Sequence, residues 1–216
     1  TQYRMIENIG NLISKVFYRG IIDTGCNDDE KRHGLSRYVG KSIVWFDTSA
    51  NKKKSQKRTK GGSYINEEEK RIILEILDDL KSTGELKGLD IGIITGYSGQ
   101  KELLRKSIKA TGLDKIASKI DINTLDAFQG RENDIIIYST VRTRDSIGFQ
   151  KEKERVNVAF SRAKKLLIVC GDKNFFYNFD DQDNKFVEII DYISEEEECE
   201  IIQCDGGKLF ERESNS

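Results

Sequence analysis

The chain of 216 residues is 37% hydrophobic and 34% charged and carries a net charge of −1, which is typical of one globular domain with a real core. Its apolar runs of about five residues exclude a membrane span, which needs about 20, and its single histidine excludes most His-based catalytic sites. The four cysteines include no pair at the spacing of a zinc or redox centre. We therefore expect no metal site and no membrane contact, and an intracellular, cytoplasmic protein.

Six short segments are predicted strands, because their apolar residues are nearly continuous. Such runs indicate strands buried on both faces, as in a parallel sheet. The predicted strands are Ser42–Phe46, Ile91–Ile94, Lys119–Ile122, Asp134–Tyr138, Leu166–Cys170 and Glu200–Gln203.

Helical patterns separate these strands, over Glu67–Leu80, Ser98–Ala110 and Glu154–Lys164. The first of them opens with Asn66 and Glu69 at the spacing of a capping box. Alternating strands and helices predict an α/β fold, with a mostly parallel sheet and helices on both faces.

Between the first strand and the first long helix lies a basic segment, residues 52–62, that is poor in apolar side chains and ends in two glycines. It is predicted to be a mobile loop. Its six basic residues could contact phosphates, and a merely solvated loop is an equally open interpretation.

Gly40-Lys41-Ser42 resembles the end of a phosphate-binding P-loop, but the spacing and the context differ. Gly34 leaves five intervening residues where the motif has four, and a strand follows in place of a helix. We therefore expect no P-loop in this chain.

Two polar segments carry candidate chemistry. Residues 123–134 join two buried strands, and loops that leave strand carboxyl ends form ligand crevices in α/β sheets; an ordinary polar loop is the alternative. Arg155 and Arg162 are seven residues apart, so the predicted helix places them on one face, as in a phosphate clamp. A pair of surface salt bridges would explain the two arginines equally well.

Six segments, taken in order, resemble motifs of one family. They are Gln2-Tyr3-Arg4-Met5, Ser63-Tyr64-Ile65-Asn66 with Glu69, Ile94-Thr95-Gly96-Tyr97 with Gln100, Thr124 to Asp134 (TLDAFQGREND), Val141-Arg142, and Arg155 to Lys164 (RVNVAFSRAK). The chain thereby resembles the C-terminal RecA-like lobe of superfamily 1 helicases, in the branch of the nonsense-mediated-decay helicase. The resemblance implies a RecA-like P-loop NTPase fold in its second, P-loop-less form. Gly96 stands where the family has proline.

The resemblance also implies a function, that of the C-terminal motor lobe of an ATP-dependent DNA or RNA helicase or translocase moving 5′ to 3′. ATP and Mg²⁺ would be held mainly by an N-terminal lobe, so this chain alone would be inactive. The partners implied are that lobe and single-stranded DNA or RNA.

Particular residues acquire roles through the same resemblance. Arg4 and Arg162 would act as arginine fingers on the γ-phosphate. Nucleotide contacts would come from Tyr3, Gln129, Gly130 and Glu132. Contacts with the nucleic-acid backbone would come from Thr95, Thr124, Ser139 and Arg142, without reading of bases.

Two other classes of protein remain as alternatives. A non-catalytic nucleic-acid-binding or scaffold module could retain the lobe without a working motor, although it has no use for two phosphate arginines. A dinucleotide-binding oxidoreductase would need a Gly-x-Gly-x-x-Gly turn after a strand, and the chain has none.

The charge distribution divides the chain. Residues 1–171 carry 32 Lys and Arg against 23 Asp and Glu, whereas residues 172–216 carry 4 against 14. The basic part suits a polyanionic partner. We expect the lobe to span 1–171, and 172–216 to be an acidic extension that packs on or flanks the same domain.

Overall fold

The computed structural model describes residues 1–23, 25, 32–85, 88–113, 119–128 and 130–210. Eight strands are present in this part of the chain: β1 Ile43–Asp47, β2 Lys57–Arg58, β3 Tyr64–Ile65, β4 Asp90–Thr95, β5 Lys119–Thr124, β6 Asn133–Ser139, β7 Ala163–Gly171 and β8 Cys199–Gln203. The six longer strands form one parallel sheet in the order β5-β4-β6-β7-β1-β8. All six predicted strands are therefore confirmed.

Helices cover both faces of this sheet. They are α1 Glu7–Tyr18, α2 Glu67–Ser82, α3 Ser98–Thr111, α4 Lys153–Phe160, α5 Lys173–Asn178 and α6 Phe186–Glu195. Apolar residues of α1, α4 and α6 form one core cluster, and those of α2 and α3 form the other. The predicted α/β fold is confirmed.

Strand β1 shows why the apolar runs are continuous. Ile43 and Trp45 belong to the core on one face of the sheet, while Val44 and Phe46 belong to the core on the other. Because neighbouring side chains on a strand point to opposite faces, a strand covered on both sides needs apolar residues throughout.

One helix ends earlier in the structure than its sequence pattern predicts. The predicted helix Glu154–Lys164 stops at Phe160 in the structure. Ala163 pairs with Asn133 at the start of β6 and β7, and the Arg162 carbonyl accepts a hydrogen bond from Asn133 N (3.1 Å). Tertiary strand pairing thus overrides the helical pattern, and Arg155 and Arg162 do not share a helix face.

The basic segment was also predicted incompletely. Lys57–Arg58 pairs antiparallel with Tyr64–Ile65, so part of the predicted loop is a short β-hairpin.

The first long helix of the chain is α1, which precedes β1. Its signal was present in the sequence, since Ile9, Leu12, Ile13 and Val16 are spaced as one helical face and are buried.

Candidate functional site

Three separate parts of the chain meet at the amino ends of β6 and β7. Ile6 N donates to Lys164 O (2.8 Å), which attaches the amino-terminal segment to the start of β7. Asn133 N donates to Arg162 O, which joins the start of β6 to the residue before β7. Arg4, Glu132 and Arg162 are therefore assembled at this edge, which we call the amino edge.

The candidate site at the amino edge combines two guanidinium groups with one carboxylate. Arg4 Nε forms an ion pair with Glu132 Oε1 at 2.5 Å, and both side chains are partly exposed. Arg162 Nε donates to Val158 O (3.1 Å). Burial and the nearby charge of Arg4 lower the pKa of Arg162, whereas Glu132 acts in the opposite direction. An anion bound here would relieve the repulsion between the two arginines.

The amino-terminal motif is folded so that Arg4 is held in place. Gln2 Oε1 accepts hydrogen bonds from Arg4 N and Met5 N, each at 2.8 Å. Met5 is buried in the core and anchors the turn. Tyr3, between them, is 71% exposed, so its ring is accessible on the same turn.

The connection from β5 to β6 runs from one edge of the sheet to the other. Phe128 packs across the face of the sheet at Gly92, where a Cβ would lie only 2.6 Å from the Phe128 ring. Gly130 then turns with φ +80° and leads to Glu132 at the amino edge. Of the predicted site residues in this segment, Thr124 lies at the strand carboxyl ends as expected, whereas Gly130 and Glu132 lie at the opposite edge. Gln129 lies outside the described residues.

Three of the residues expected to contact nucleic acid align at the other edge, which we call the carboxyl edge. Thr124, Thr95 and Ser139 end β5, β4 and β6, and Thr95 is in register with both of the others. Thr124 is partly exposed, but Thr95 and Ser139 are fully buried. The Ser139 hydroxyl donates to Glu69 (2.6 Å) and accepts from Gln100 (3.1 Å), so it has no surface that a strand could touch.

Arg142, the fourth of these residues, is also largely covered. Only 5% of it is exposed, and its guanidinium lies over the Tyr64 ring, 4.2 Å from the centroid. Arg142 Nη2 donates to Arg144 O (3.2 Å). Arg142 thus holds the β6–α4 connection against the hairpin in this structure.

Glu69 is an important residue whose role sequence reasoning missed. It does not complete the predicted capping box, because Asn66 N donates to Gln100 Oε1 instead. The fully buried Glu69 carboxylate accepts from Thr140 Oγ1 (3.0 Å) and Val141 N (2.9 Å) as well as from Ser139. Val141 has φ +68°, an unfavourable value for a β-branched residue. Glu69 therefore fixes the strained backbone that leads to Arg142.

Arg155 is separate from the amino-edge charges. Its Nε bonds to Glu152 (2.7 Å), its Nη1 lies 3.6 Å from Asp126, and its guanidinium covers the Phe149 ring at 5.1 Å. The phosphate clamp expected from Arg155 and Arg162 is therefore wrong, because the shorter α4 puts the two side chains in different surroundings. The salt-bridge alternative applies to Arg155.

Two structural features are absent from the part of the chain that the structure describes. Within the described ranges, no helix combines the length and hydrophobicity that a bilayer crossing requires. The same residues contain no group of three or more His, Cys, Asp or Glu side chains arranged to hold a metal ion.

Comparison with known proteins gives consistent matches. Residues 1–174 match the model of a family described as an AAA domain. Helicase SEN1 of Saccharomyces cerevisiae is 36% identical over 181 residues, which cover 79% of this chain and 8% of that protein. The ATP-dependent helicase NAM7 of the same yeast is 32% identical (79% and 18%), as is a regulator of nonsense transcripts 1 homologue of Neurospora crassa (79% and 16%).

The chain thus spans less than a fifth of the length of these relatives. Among solved structures, the C-terminal domain of a possible DNA helicase from a Lactobacillus matches with a TM-score of 0.46 and 14% identity. That match covers 80% of this chain and 88% of the other.

Proposed function

Because the chain belongs to this family of AAA domains, we propose that it is the C-terminal motor lobe of an ATP-dependent DNA or RNA helicase or translocase. The observation that carries the proposal is the convergence of Arg4, Glu132 and Arg162 at the amino edge. These residues are up to 158 positions apart in the sequence, and the fold brings them to one place with an excess of positive charge. Such a group suits the terminal phosphates of a nucleotide held by a second lobe.

The residues at the amino edge fit ATP, because guanidinium groups are cationic and bind phosphate oxygens. Bound ATP supplies the phosphoanhydride bond whose cleavage releases free energy. Arg4 and Arg162 would neutralise charge that develops on the transferred phosphoryl group, as arginine fingers do. Glu132 orients Arg4 through their 2.5 Å ion pair.

Further nucleotide contacts and the metal belong to the same proposal. Tyr3 would stack beside the adenine or ribose, and Gly130 and Glu132 would contact the ribose and phosphate region. Mg²⁺ and the remaining phosphate contacts would be supplied by an N-terminal lobe. Hydrolysis would then open and close the cleft between the lobes.

The carboxyl edge would face the nucleic acid. Thr124 is the partly exposed residue of the four, while Thr95, Ser139 and Arg142 are buried beneath the edge. A backbone contact of this kind positions a strand without reading its sequence. A purely non-catalytic binding module is disfavoured, because binding at the carboxyl edge would not need the arginine pair at the opposite edge.

The experiment is substitution of the arginines in a longer protein that includes the N-terminal lobe. We expect Arg4→Ala or Arg162→Ala to reduce ATP turnover at least about a hundredfold, since arginine fingers contribute roughly 10³–10⁵. Affinity for a single-stranded oligonucleotide should remain within about twofold, because both residues lie away from the carboxyl edge. Arg162→Lys should restore little, since an ammonium lacks the planar two-pronged contact.

Arg155→Ala is the matched control, because it removes an arginine of the same motif that bonds only within its own surroundings. It should lower stability more than turnover. Near-normal turnover in Arg162→Ala, or an equal loss in all three alanine variants, would contradict the proposed role of the amino edge.

A further inference from the structure

The β2–β3 hairpin and the residues before it form an exposed basic surface. Residues 48–66 contain six Lys and Arg and no Asp or Glu. Five of the six are exposed: Lys52, Lys53, Lys57, Arg58 and Lys60. None of these five forms an ion pair with any residue that the structure describes. Their charge is therefore available to a partner, and we call them the hairpin cations.

The hairpin is fixed to the carboxyl edge by bonds from several elements. Gln56 N donates to Thr143 Oγ1 (3.1 Å), and Thr143 N donates back to Gln56 Oε1 (2.9 Å). Lys54, the sixth basic residue, pairs at 2.7 Å with the buried Asp172 at the end of β7. The buried Asn66 amide donates to Lys54 O (2.7 Å). A segment held in this way presents its cations in one position.

An aromatic row links the hairpin to the rest of the edge. The Tyr64 ring of β3 packs edge-on against the Tyr97 ring, with 5.7 Å between the ring centroids. The Tyr97 ring packs in turn against Phe149, with 5.6 Å between the centroids. Phe149 is 47% exposed at the far end of this row. A basic surface joined to a row of aromatic rings with a half-exposed end is an arrangement that suits single strands, whose phosphates meet the cations while their bases stack.

We propose that the hairpin cations bind the phosphodiester backbone of a single nucleic-acid strand, extending the carboxyl-edge contact beyond the motif residues. This inference rests on the proposed function, because it assigns a second group of contacts to the strand that the motor lobe would hold. It also explains why so many cations remain unpaired on a chain whose net charge is only −1.

The test uses the triple variant Lys57→Ala/Arg58→Ala/Lys60→Ala and a matched control, Lys81→Ala/Lys106→Ala/Lys109→Ala. The control residues are equally exposed but lie in the carboxyl-terminal halves of α2 and α3, toward the amino edge. Binding of a single-stranded oligonucleotide, in DNA and RNA arms, is titrated at several salt concentrations. Circular dichroism verifies that all variants fold.

The hairpin variant should bind at least about tenfold more weakly, and the slope of log affinity against log salt should fall by about 2, since each lost phosphate contact contributes about 0.7. The control should match the parent chain. Equal affinity and slope in the hairpin and parent chains would overturn this inference alone. An equal loss in both variants would also overturn it, because it would indicate a general charge effect.

A duplex of the same sequence is titrated in parallel. If the hairpin variant lost affinity for the duplex alone, the single-strand assignment would be overturned. If the parent chain bound no strand, the nucleic-acid part of the proposed function would fail as well.

Discussion

Glu69 places one buried carboxyl group at the centre of the hydrogen bonds of the carboxyl edge. Burial raises its pKa to about 7, although hydrogen bonds from Ser139, Val141 and Thr140 act in the opposite direction. The group is thus expected to change its protonation near neutral pH, directly beneath the backbone that leads to Arg142. The hydrogen bonds at the carboxyl edge therefore depend on the protonation state of a residue that is fully buried.

Its pKa predicts how stability depends on pH. In the unfolded chain the carboxyl would release its proton near its ordinary pKa of 4.5, but in the folded chain it keeps the proton to about pH 7. Between these values the folded state binds more protons, so the free energy of unfolding falls as pH rises. The loss amounts to roughly 3 kcal/mol by pH 8, at about 1.4 kcal/mol per pKa unit.

Denaturant titrations from pH 4.5 to 8 measure this effect, with Glu69→Gln as the reference that cannot titrate. The parent chain should lose free energy of unfolding relative to Glu69→Gln as the pH rises. Parallel pH profiles for the two proteins would show that Glu69 keeps its ordinary pKa, and the expectation would then be wrong.

At the scale of elements, α2 is joined to the sheet by its first residues. The Asn66 side chain accepts hydrogen bonds from Glu68 N and Glu69 N, both at 3.1 Å, and so caps the helix. Its amide also donates to Lys54 O and to Val141 O (3.2 Å). One fully buried side chain therefore ties α2, the basic segment and the end of β6 together.

We expect Asn66→Ala to lower the free energy of unfolding by about 3 kcal/mol. The lost cap accounts for about 1 kcal/mol, and the loss of the donor to one buried and one partly buried carbonyl accounts for the remainder. Asn66→Ser is the informative comparison, since a hydroxyl can still cap the helix but cannot reach both carbonyls. Urea titration measures each variant, and equal stability of the serine variant and the parent would refute a bridging role.

At the scale of the whole molecule, residues 172–210 contribute to the sheet and its cover. Strand β8 pairs in parallel with β1 along Ile43 to Asp47. Phe186 of α6 meets the Trp45 ring edge-on, 6.1 Å between centroids, and Trp45 Nε1 donates to Gly171 O (3.1 Å). We propose that residues 172–210 of the acidic extension fold as one unit with residues 1–171.

A chain truncated after Gly171 tests that proposal. It would expose one face of Trp45 and leave β1 as an unpaired edge, so we expect it to be strongly destabilised or to aggregate. Trp45 is the only tryptophan, and its fluorescence should move to longer wavelength in the truncated chain. An unshifted emission together with cooperative unfolding at the parent's midpoint would show that the extension is dispensable.

The amino-acid sequence was sufficient to predict the six main strands, the α/β class and the family. The strands could be predicted because burial on both faces requires continuous apolar runs, as in Ile135 to Tyr138. The family resemblance was confirmed by the match of residues 1–174 to a family model and by the identity with named helicases. The helix at Phe186–Glu195 was missed although its apolar residues have helical spacing.

The positions of the charged residues depend on contacts between distant parts of the folded chain. Helix α4 ends at Phe160 because the chain must begin pairing at Ala163 with Asn133, which is a contact between distant residues. Glu69 is buried because the end of β6 supplies its hydrogen bonds, and no local pattern encodes those donors. Thr95 and Ser139 are covered for the same reason: depth within a sheet depends on what packs above it. Periodicity is a local property, whereas burial and convergence are properties of the folded chain.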